Sequence, residues 1–352
     1  MAAIAQFMEK NFRHFNARET LAVAKGWCDF SEKGGKMVVA LAGAMSTAEI
    51  GITLAQMIRA GKIHAISSTA ANLEEDLFNL VGNKDYKLQP GWRYLTMEQD
   101  LKTRDEGFNR VTDTCIPEDV MVAMHMELRK LWAEAAAKGE SYFNWEYWYQ
   151  LIRSGYFEGK NQVPMEHSWV VAACEMDIPI YTPGTEDSTL GNMFCADVML
   201  GHVQNHSAMK SGTQQFEHLT RWYLETGKHA PIGFFQIGGG IAGDFAMCVV
   251  PSILQDHELE CGFWSFFCHI GDSTTSFGSY SGCPPNEKVT WYKLDTTTPN
   301  FTINSDASIV APLIFQYVLE KHRETKASAT VEKTLKQIAA EKKHTATAGK
   351  KQ

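Results

Sequence analysis

The stretch Lys36–Ala44 reads Lys-Met-Val-Val-Ala-Leu-Ala-Gly-Ala, a continuous apolar run directly after Gly34-Gly35. A strand with one face in water alternates apolar and polar residues. A strand without that alternation is buried on both faces, as happens when helices cover both sides of a parallel sheet. A helical pattern follows at about Ser46–Ala60, with Ser46 or Thr47 as a candidate cap. A second strand is predicted at Lys62–Thr69, and a second helix begins over Asn72–Leu80. Strand, helix, strand, helix at this spacing predicts right-handed βαβ units.

The same rhythm returns later in the chain. Strands are predicted at Asp177–Thr182, Pro231–Ile237, Gly262–Ile270 and Phe301–Asn304, and a helix at Ser305–Leu319. Residues 1–35 read as helical and Glu118–Ala137 as an amphipathic helix. The rest of 82–165 is less regular. Its segment Tyr142–Phe157 is crowded with aromatics, readable as core or subunit contact, or as a cation-binding cage. The fold class implied is α/β, a Rossmann-like doubly wound, mostly parallel sheet with helices on both faces. One domain would span 1–322, with a polar Lys-, Ala- and Thr-rich tail over 323–352. Several strands end in small or acidic residues, and open parallel sheets bind ligands beyond those carboxyl ends.

Composition narrows the function. The 352 residues carry a net charge of −8, which offers nucleic acid no basic footprint and favours cationic ligands. Eight cysteines without a Cys-x-x-Cys pair read as reduced thiols of a cytoplasmic protein. The N-terminus has no basic region followed by an apolar core, so it does not read as a secretion signal. No apolar run approaches the roughly 18 residues that span a bilayer.

Two stretches carry candidate chemistry. Gly238, Gly240 and Gly243 satisfy Gly-x-Gly-x-x-Gly between a strand and a helix, the pattern that brings backbone amides close to a pyrophosphate. The acid expected about twenty residues on would fall near Glu258 or Glu260. Gly278–Lys293 is loop in its first half. In its second half Val289, Trp291 and Lys293 alternate with Thr290 and Tyr292. As a strand this puts Lys293 and Trp291 on one face. Two readings stand: an edge strand whose lysine reaches water, or an amine desolvated beside an indole, with a lowered pKa and a nucleophilic neutral form. Glu287 lies upstream as a possible holder of a cation. His202 and His206, spaced i and i+4, suit one helix face as metal ligands, but no carboxylate completes a site, so no metal is expected.

Gly278-Ser279, Ser281-Gly282, Pro285, Glu287, Val289, Trp291 and Lys293 together resemble the catalytic segment of deoxyhypusine synthases. The resemblance implies that Lys293 forms an imine with an aminobutyl group taken from spermidine, with Trp291 against the alkyl chain. Ser68–Asp76 resembles the family's Thr-Thr-Ala-Gly-Gly-Val-Glu-Glu-Asp segment; acids there also suit a helix N-terminus. By resemblance Thr69 and Glu74 contact NAD, and Glu75 faces a polyamine amine. Gly238, Gly239 and Gly240 lie against the nicotinamide cofactor. Asp187, in a loop similar to the family's Thr-Asp-Gly-Ser-Leu-Gly-Asp, lies near it. Asp306, in Ser305-Asp306-Ala307-Ser308, binds the adenosine half, or is simply a helix cap.

The sequence also departs from the family. Asn192 replaces an aspartate that pairs with a spermidine amine. Tyr280 and Phe277 stand in place of acids, and Asp244 in place of a histidine. The pattern is closer to the bacterial deoxyhypusine-synthase-like branch. It implies an NAD-dependent aminobutyl transferase acting on spermidine-like polyamines, as a homotetramer, with a small amine as acceptor and a homospermidine-type product. The alternatives are a true deoxyhypusine synthase modifying a protein lysine, and a non-catalytic NAD- or polyamine-binding protein.

Overall fold

The computed structural model describes residues 3–275 and 278–325. Its main sheet has six strands: β1 (Lys36–Leu41), β2 (Ala65–Ser68), β3 (Ile180–Tyr181), β4 (Ile232–Ile237), β5 (Phe266–Gly271) and β6 (Asn300–Asn304). All neighbours pair in parallel, in the order β3-β2-β1-β4-β5-β6. This is the doubly wound order, with its reversal between β1 and β4. Each strand is found where the sequence predicts it: β1 to β4 are shorter than expected by one to four residues, β5 starts four residues late and runs on to Gly271, and β6 starts one residue early at Asn300.

The absence of alternation in β1 has its reason in two cores. Met37, Val39 and Leu41 point into one, with Trp27 and Phe315 of flanking helices. Val38 and Ala40 point into the other, with Leu219, Tyr223 and Met247. Successive strand residues face opposite ways, so both registers must be apolar. Each such side chain contributes roughly 1.5–3 kcal/mol on full burial.

The helical N-terminal region is two helices, Ala3–Asn11 and Phe15–Glu32. The helix expected from Ser46 begins instead at Gly51 and ends at Arg59. Ser46 and Thr47 do not cap it: the Ser46 N–H donates to Asn72 Oδ1, and Thr47 Oγ1 donates to Glu75. The next helix is Ala70–Gly82, two residues earlier than expected, with Thr69 as its N-cap accepting from the Asn72 N–H.

Between that helix and β3 the chain makes an excursion. It contains a three-stranded antiparallel ribbon of Lys87–Leu88, Thr114–Pro117 and Phe108–Val111, then the helices Glu118–Lys138 and Asn144–Arg153. Tyr147, Trp148 and Tyr149 are buried in the first core, so the aromatic segment is core and not a cage. A helix runs over 307–325. Its last residues, 323–325, belong to the expected polar tail; the rest of that tail, from 326 onward, lies outside the described residues, as does Phe277. Among the described residues no helix is long and apolar enough to cross a membrane.

Candidate active site

At the carboxyl end of β4 the chain turns through Gly238 and Gly240, both at positive φ, into the helix Gly240–Met247. Positive φ suits glycine alone at low cost. Gly239 is glycine for a different reason: a Cβ there would lie 2.0 Å from Ser281 Oγ. The turn therefore touches the 278–293 segment directly.

A groove of about 780 Å³ opens at this reversal point. Thr69, Asp187, Gly238, Gly239, Gly240 and Asp306 all line it. These are the cofactor candidates, gathered from four separate segments. Thr69 is fixed there by its bond to the Gly43 carbonyl at 2.9 Å. Asp306 also caps the following helix, accepting from the N–H and Oγ of Ser308. Neither Glu258 nor Glu260 lines the groove, but Asp272, just past β5, does.

Glu74 is placed elsewhere. Both its oxygens accept backbone N–H groups, Thr189 at 2.8 Å and Leu190 at 2.9 Å, at the start of the helix Thr189–Met199. Asp76 does the same for the helix Trp169–Glu175, accepting from the Trp169 and Val170 N–H groups and from Ser168 Oγ. These acids are not in the first turn of their own helix, which begins at Ala70. Glu75 sits between them with Thr47 against its carboxylate, Oγ1 at 2.8 Å. Burial pushes all three carboxyls up to about 7, against these hydrogen bonds.

The lysine segment corrects the strand expectation. Glu287–Thr290 is a single helical turn, and Tyr292 has a φ of 56°. The Tyr292 N–H donates to the Val289 carbonyl and the Lys293 N–H to that of Lys288. This is the Schellman closure of a helix, with a tyrosine where glycine is usual. The left-handed residue rotates Lys293 away from the Trp291 side. Trp291 is 62% exposed and Lys293 7%. The lysine Nζ is 5.9 Å from the Trp291 ring centroid and 5.3 Å from that of Tyr280.

Asp244, on the helix after the glycine turn, holds Lys293 Nζ at 2.8 Å. Cys248 Sγ donates to the same Asp244 Oδ1 at 3.4 Å. Burial draws the Lys293 ammonium down, but the Asp244 hydrogen bond and Cys248 outweigh it and leave the group above its ordinary pKa. The lowered pKa expected from an indole neighbour is thus reversed by a carboxylate. Tyr280 separates this pair from the groove. Its hydroxyl donates to Gln236 Oε1 at 3.0 Å, and the Gln236 amide donates to the Gly238 carbonyl at 2.7 Å. Glu287 is exposed at the start of its turn. Asn192 lies on the Thr189–Met199 helix and donates to the Glu186 carbonyl at 2.5 Å.

The structure therefore brings Lys293, Asp244, Tyr280 and Trp291 together beside the groove. It sets Glu74, Glu75 and Asn192 apart from them. His202 and His206 do not share a helix face, since the Thr189–Met199 helix ends before them. His202 pairs with Asp197, and His206 packs on Phe194. Among the described residues no group of three His, Cys, Asp or Glu is placed to hold a metal. Sequence reasoning missed Trp92, Arg93 and Thr112, which reach the groove from the excursion. It also missed Lys288, a buried lysine against Tyr280. No periodic signal marks any of the four.

The family model for deoxyhypusine synthase matches residues 4–318. A deoxyhypusine synthase-like protein of Nostoc sp. is 30% identical over 308 residues, covering 84% of this chain and 75% of its own. One from Chlorobaculum parvum is 26% identical over 313 residues, covering 87% and 83%. Among solved structures, a "putative deoxyhypusine synthase" of Entamoeba histolytica has the same fold, with a TM-score of 0.51 and 12% identity over 86% of this chain and 87% of its own.

Proposed function

Since this chain belongs to the deoxyhypusine synthase family, we propose that it is an NAD-dependent transferase of aminobutyl groups from a spermidine-like donor. The observation that carries this reading is Lys293: a buried amine, ion-paired to Asp244, one tyrosine away from a glycine-lined groove. A lysine held this way is a covalent nucleophile in waiting, not a surface charge.

The groove suits a dinucleotide. A Cβ on Gly240 would meet nothing within 4 Å, so the backbone there is open to close approach by a phosphate at the start of a helix. Thr69, Asp187 and Asp306 offer hydrogen-bonding groups along it, and Arg93 a cation. NAD, when bound, would supply the hydride acceptor and donor that the transfer needs. Lys293 Nζ would attack the oxidised donor carbon, expelling a diamine and holding the aminobutyl group as an imine. An acceptor amine then displaces the lysine. Trp291, exposed beside the amine, would cover the alkyl chain and its cationic centre. Glu287, exposed on the turn that leads to Lys293, would anchor a substrate amine.

The replaced acids at 192 and 280 support a small amine as acceptor, giving a homospermidine-type product. Incubation with spermidine, putrescine and NAD, followed by mass analysis, tests this: a product of spermidine and putrescine alone is expected. Borohydride trapping with spermidine and NAD should add an aminobutyl mass to Lys293. Lys293→Ala should abolish transfer by at least about 10³-fold while NAD still raises the Tm. Full transfer in that variant would refute the nucleophile. Sedimentation should give a tetramer, the assembly we assign by family.

A further inference from the structure

The ion pair at Lys293 is lopsided. The lysine side chain is 9% exposed and that of Asp244 45%. The cation is inside and its counter-ion stands at the solvent edge. The hydrogen bonds of Asp244 to Lys293 and Cys248 both use Oδ1, so the second oxygen is the one left for an incoming group.

A second cation lies behind. Lys288, 2% exposed, places its ammonium 4.2 Å from the Tyr280 ring centroid and 5.3 Å from that of Phe267. Lys293 faces the same Tyr280 ring at 5.3 Å. Two ammonium groups thus share one ring, with one carboxylate at the rim. Burial lowers the Lys288 pKa, Cys283 beside it acts the other way, and Lys293 adds to the lowering. The other titratable groups here are Cys248, Cys283 and Tyr280, whose pKa values burial raises, and His269 of β5, which burial pushes down to about 4. None of the four replaces the carboxylate as a counter-charge, and Glu287, exposed at the start of its turn, acts on Cys283.

A buried ammonium needs a partner to stay charged; Lys288 has Cys283 and the Tyr280 ring face, whereas Lys293 depends on Asp244. Without its partner, and beside another cation, it sheds its proton readily.

We infer that Asp244 is a displaceable counter-ion: an ammonium group arriving from solvent takes its carboxylate, and Lys293, left buried beside Lys288, becomes a neutral nucleophile only when an amine is bound. The inference rests on the aminobutyl-transfer reading and deepens it. The balance is simple. The incoming amine remains an ammonium on Asp244, Lys293 loses one proton to water, and no bond to carbon changes. Lys288 is a positioning residue here, acting through Lys293. The arrangement keeps the lysine unreactive towards stray carbonyl compounds while the site is empty.

The test needs no NAD, so no transfer intervenes. Spermidine is titrated into the whole chain at neutral pH in weak buffer, with heat and released protons both recorded. One proton per bound spermidine is expected, and Lys293→Met should bind spermidine and release none. Binding without proton release overturns the inference and leaves the transferase reading standing. No binding at all overturns the polyamine reading, and the displacement with it. A second arm uses no polyamine. In Asp244→Asn, reductive methylation of Lys293 by formaldehyde and cyanoborohydride should quicken about tenfold at neutral pH, one unit of pKa. Adding Lys288→Met should return the rate towards wild type. An unchanged or slower rate in Asp244→Asn overturns the counter-ion role. Circular dichroism and Tm of each variant report folding independently.

Discussion

Lys293 reaches its pocket because Tyr292 adopts the left-handed conformation, at a φ of 56°. For a residue with a Cβ this costs roughly 1–2 kcal/mol. The Tyr292 side chain is half exposed, so little burial offsets the cost. Tyr292→Gly should therefore leave the Lys293 adduct intact and raise stability by up to about 1 kcal/mol, read as an unchanged or higher Tm. A marked fall in Tm would show that the tyrosine ring, not the backbone, holds the turn. Glu75 makes a second residue-scale prediction. Its folded pKa is about 7 against an ordinary 4.5. Between those values the folded chain binds more protons than the unfolded one. The ionised carboxylate therefore costs stability above about pH 7, and that cost fades as pH falls towards 4.5. Glu75→Gln should stabilise by roughly 1–3 kcal/mol at pH 8 and hardly at all near pH 4.5. Denaturant melts at the two pH values check this, and an equal gain at both would assign the effect to packing instead.

At the scale of elements, the same helix shows how far a motif can be read. Glu74-Glu75-Asp76 stands out in the sequence as a site, but its three acids divide by tertiary capping: two bracket helices that start more than ninety residues later in the chain. Nothing local foretells such partners. The lysine segment misled for a related reason. Alternating Val289, Trp291 and Lys293 fits a strand, but a helical turn closed by a left-handed residue spaces the same side chains differently, and no glycine marks the closure. The excursion was illegible because its ribbon strands are two to four residues long and mostly only partly buried. Yet it delivers Arg93 to the groove, with its guanidinium 4.4 Å from the centroid of the Trp92 ring. A cation in a groove suited to a dinucleotide is best used on phosphate. Arg93→Ala should weaken NAD binding about tenfold, near 1.4 kcal/mol, and leave thermal stability without NAD nearly unchanged. Calorimetric titration separates the two, and unaltered affinity would place the pyrophosphate elsewhere.

Across the whole molecule, the legible part was what burial on both sheet faces imposes. β1, β4 and β5 read as strands because both registers had to be apolar, and their order brings glycine turn, Thr69, Asp187 and Asp306 to one edge. What the chain could not announce is that groove and lysine form one packed unit. Gly239 and Ser281 touch so closely that a single methyl would collide with the serine, and Tyr280, next in line, bridges to Gln236 beneath the turn. Gly239→Ala must therefore push the 278–293 segment off the turn. It should cost roughly 1–3 kcal/mol by overpacking, and lower NAD affinity and borohydride-trapped Lys293 adduct together. Gly240→Ala is the contrasting case. Its Cβ would meet no atom within 4 Å, so it carries only the positive-φ penalty of about 1 kcal/mol. Any loss of NAD affinity in that variant would come from the methyl group facing the groove, and adduct yield at saturating NAD should stay near wild type. If both variants lost adduct equally at saturating NAD, the coupling between turn and lysine would be a matter of backbone strain at the glycines rather than of contact with Ser281.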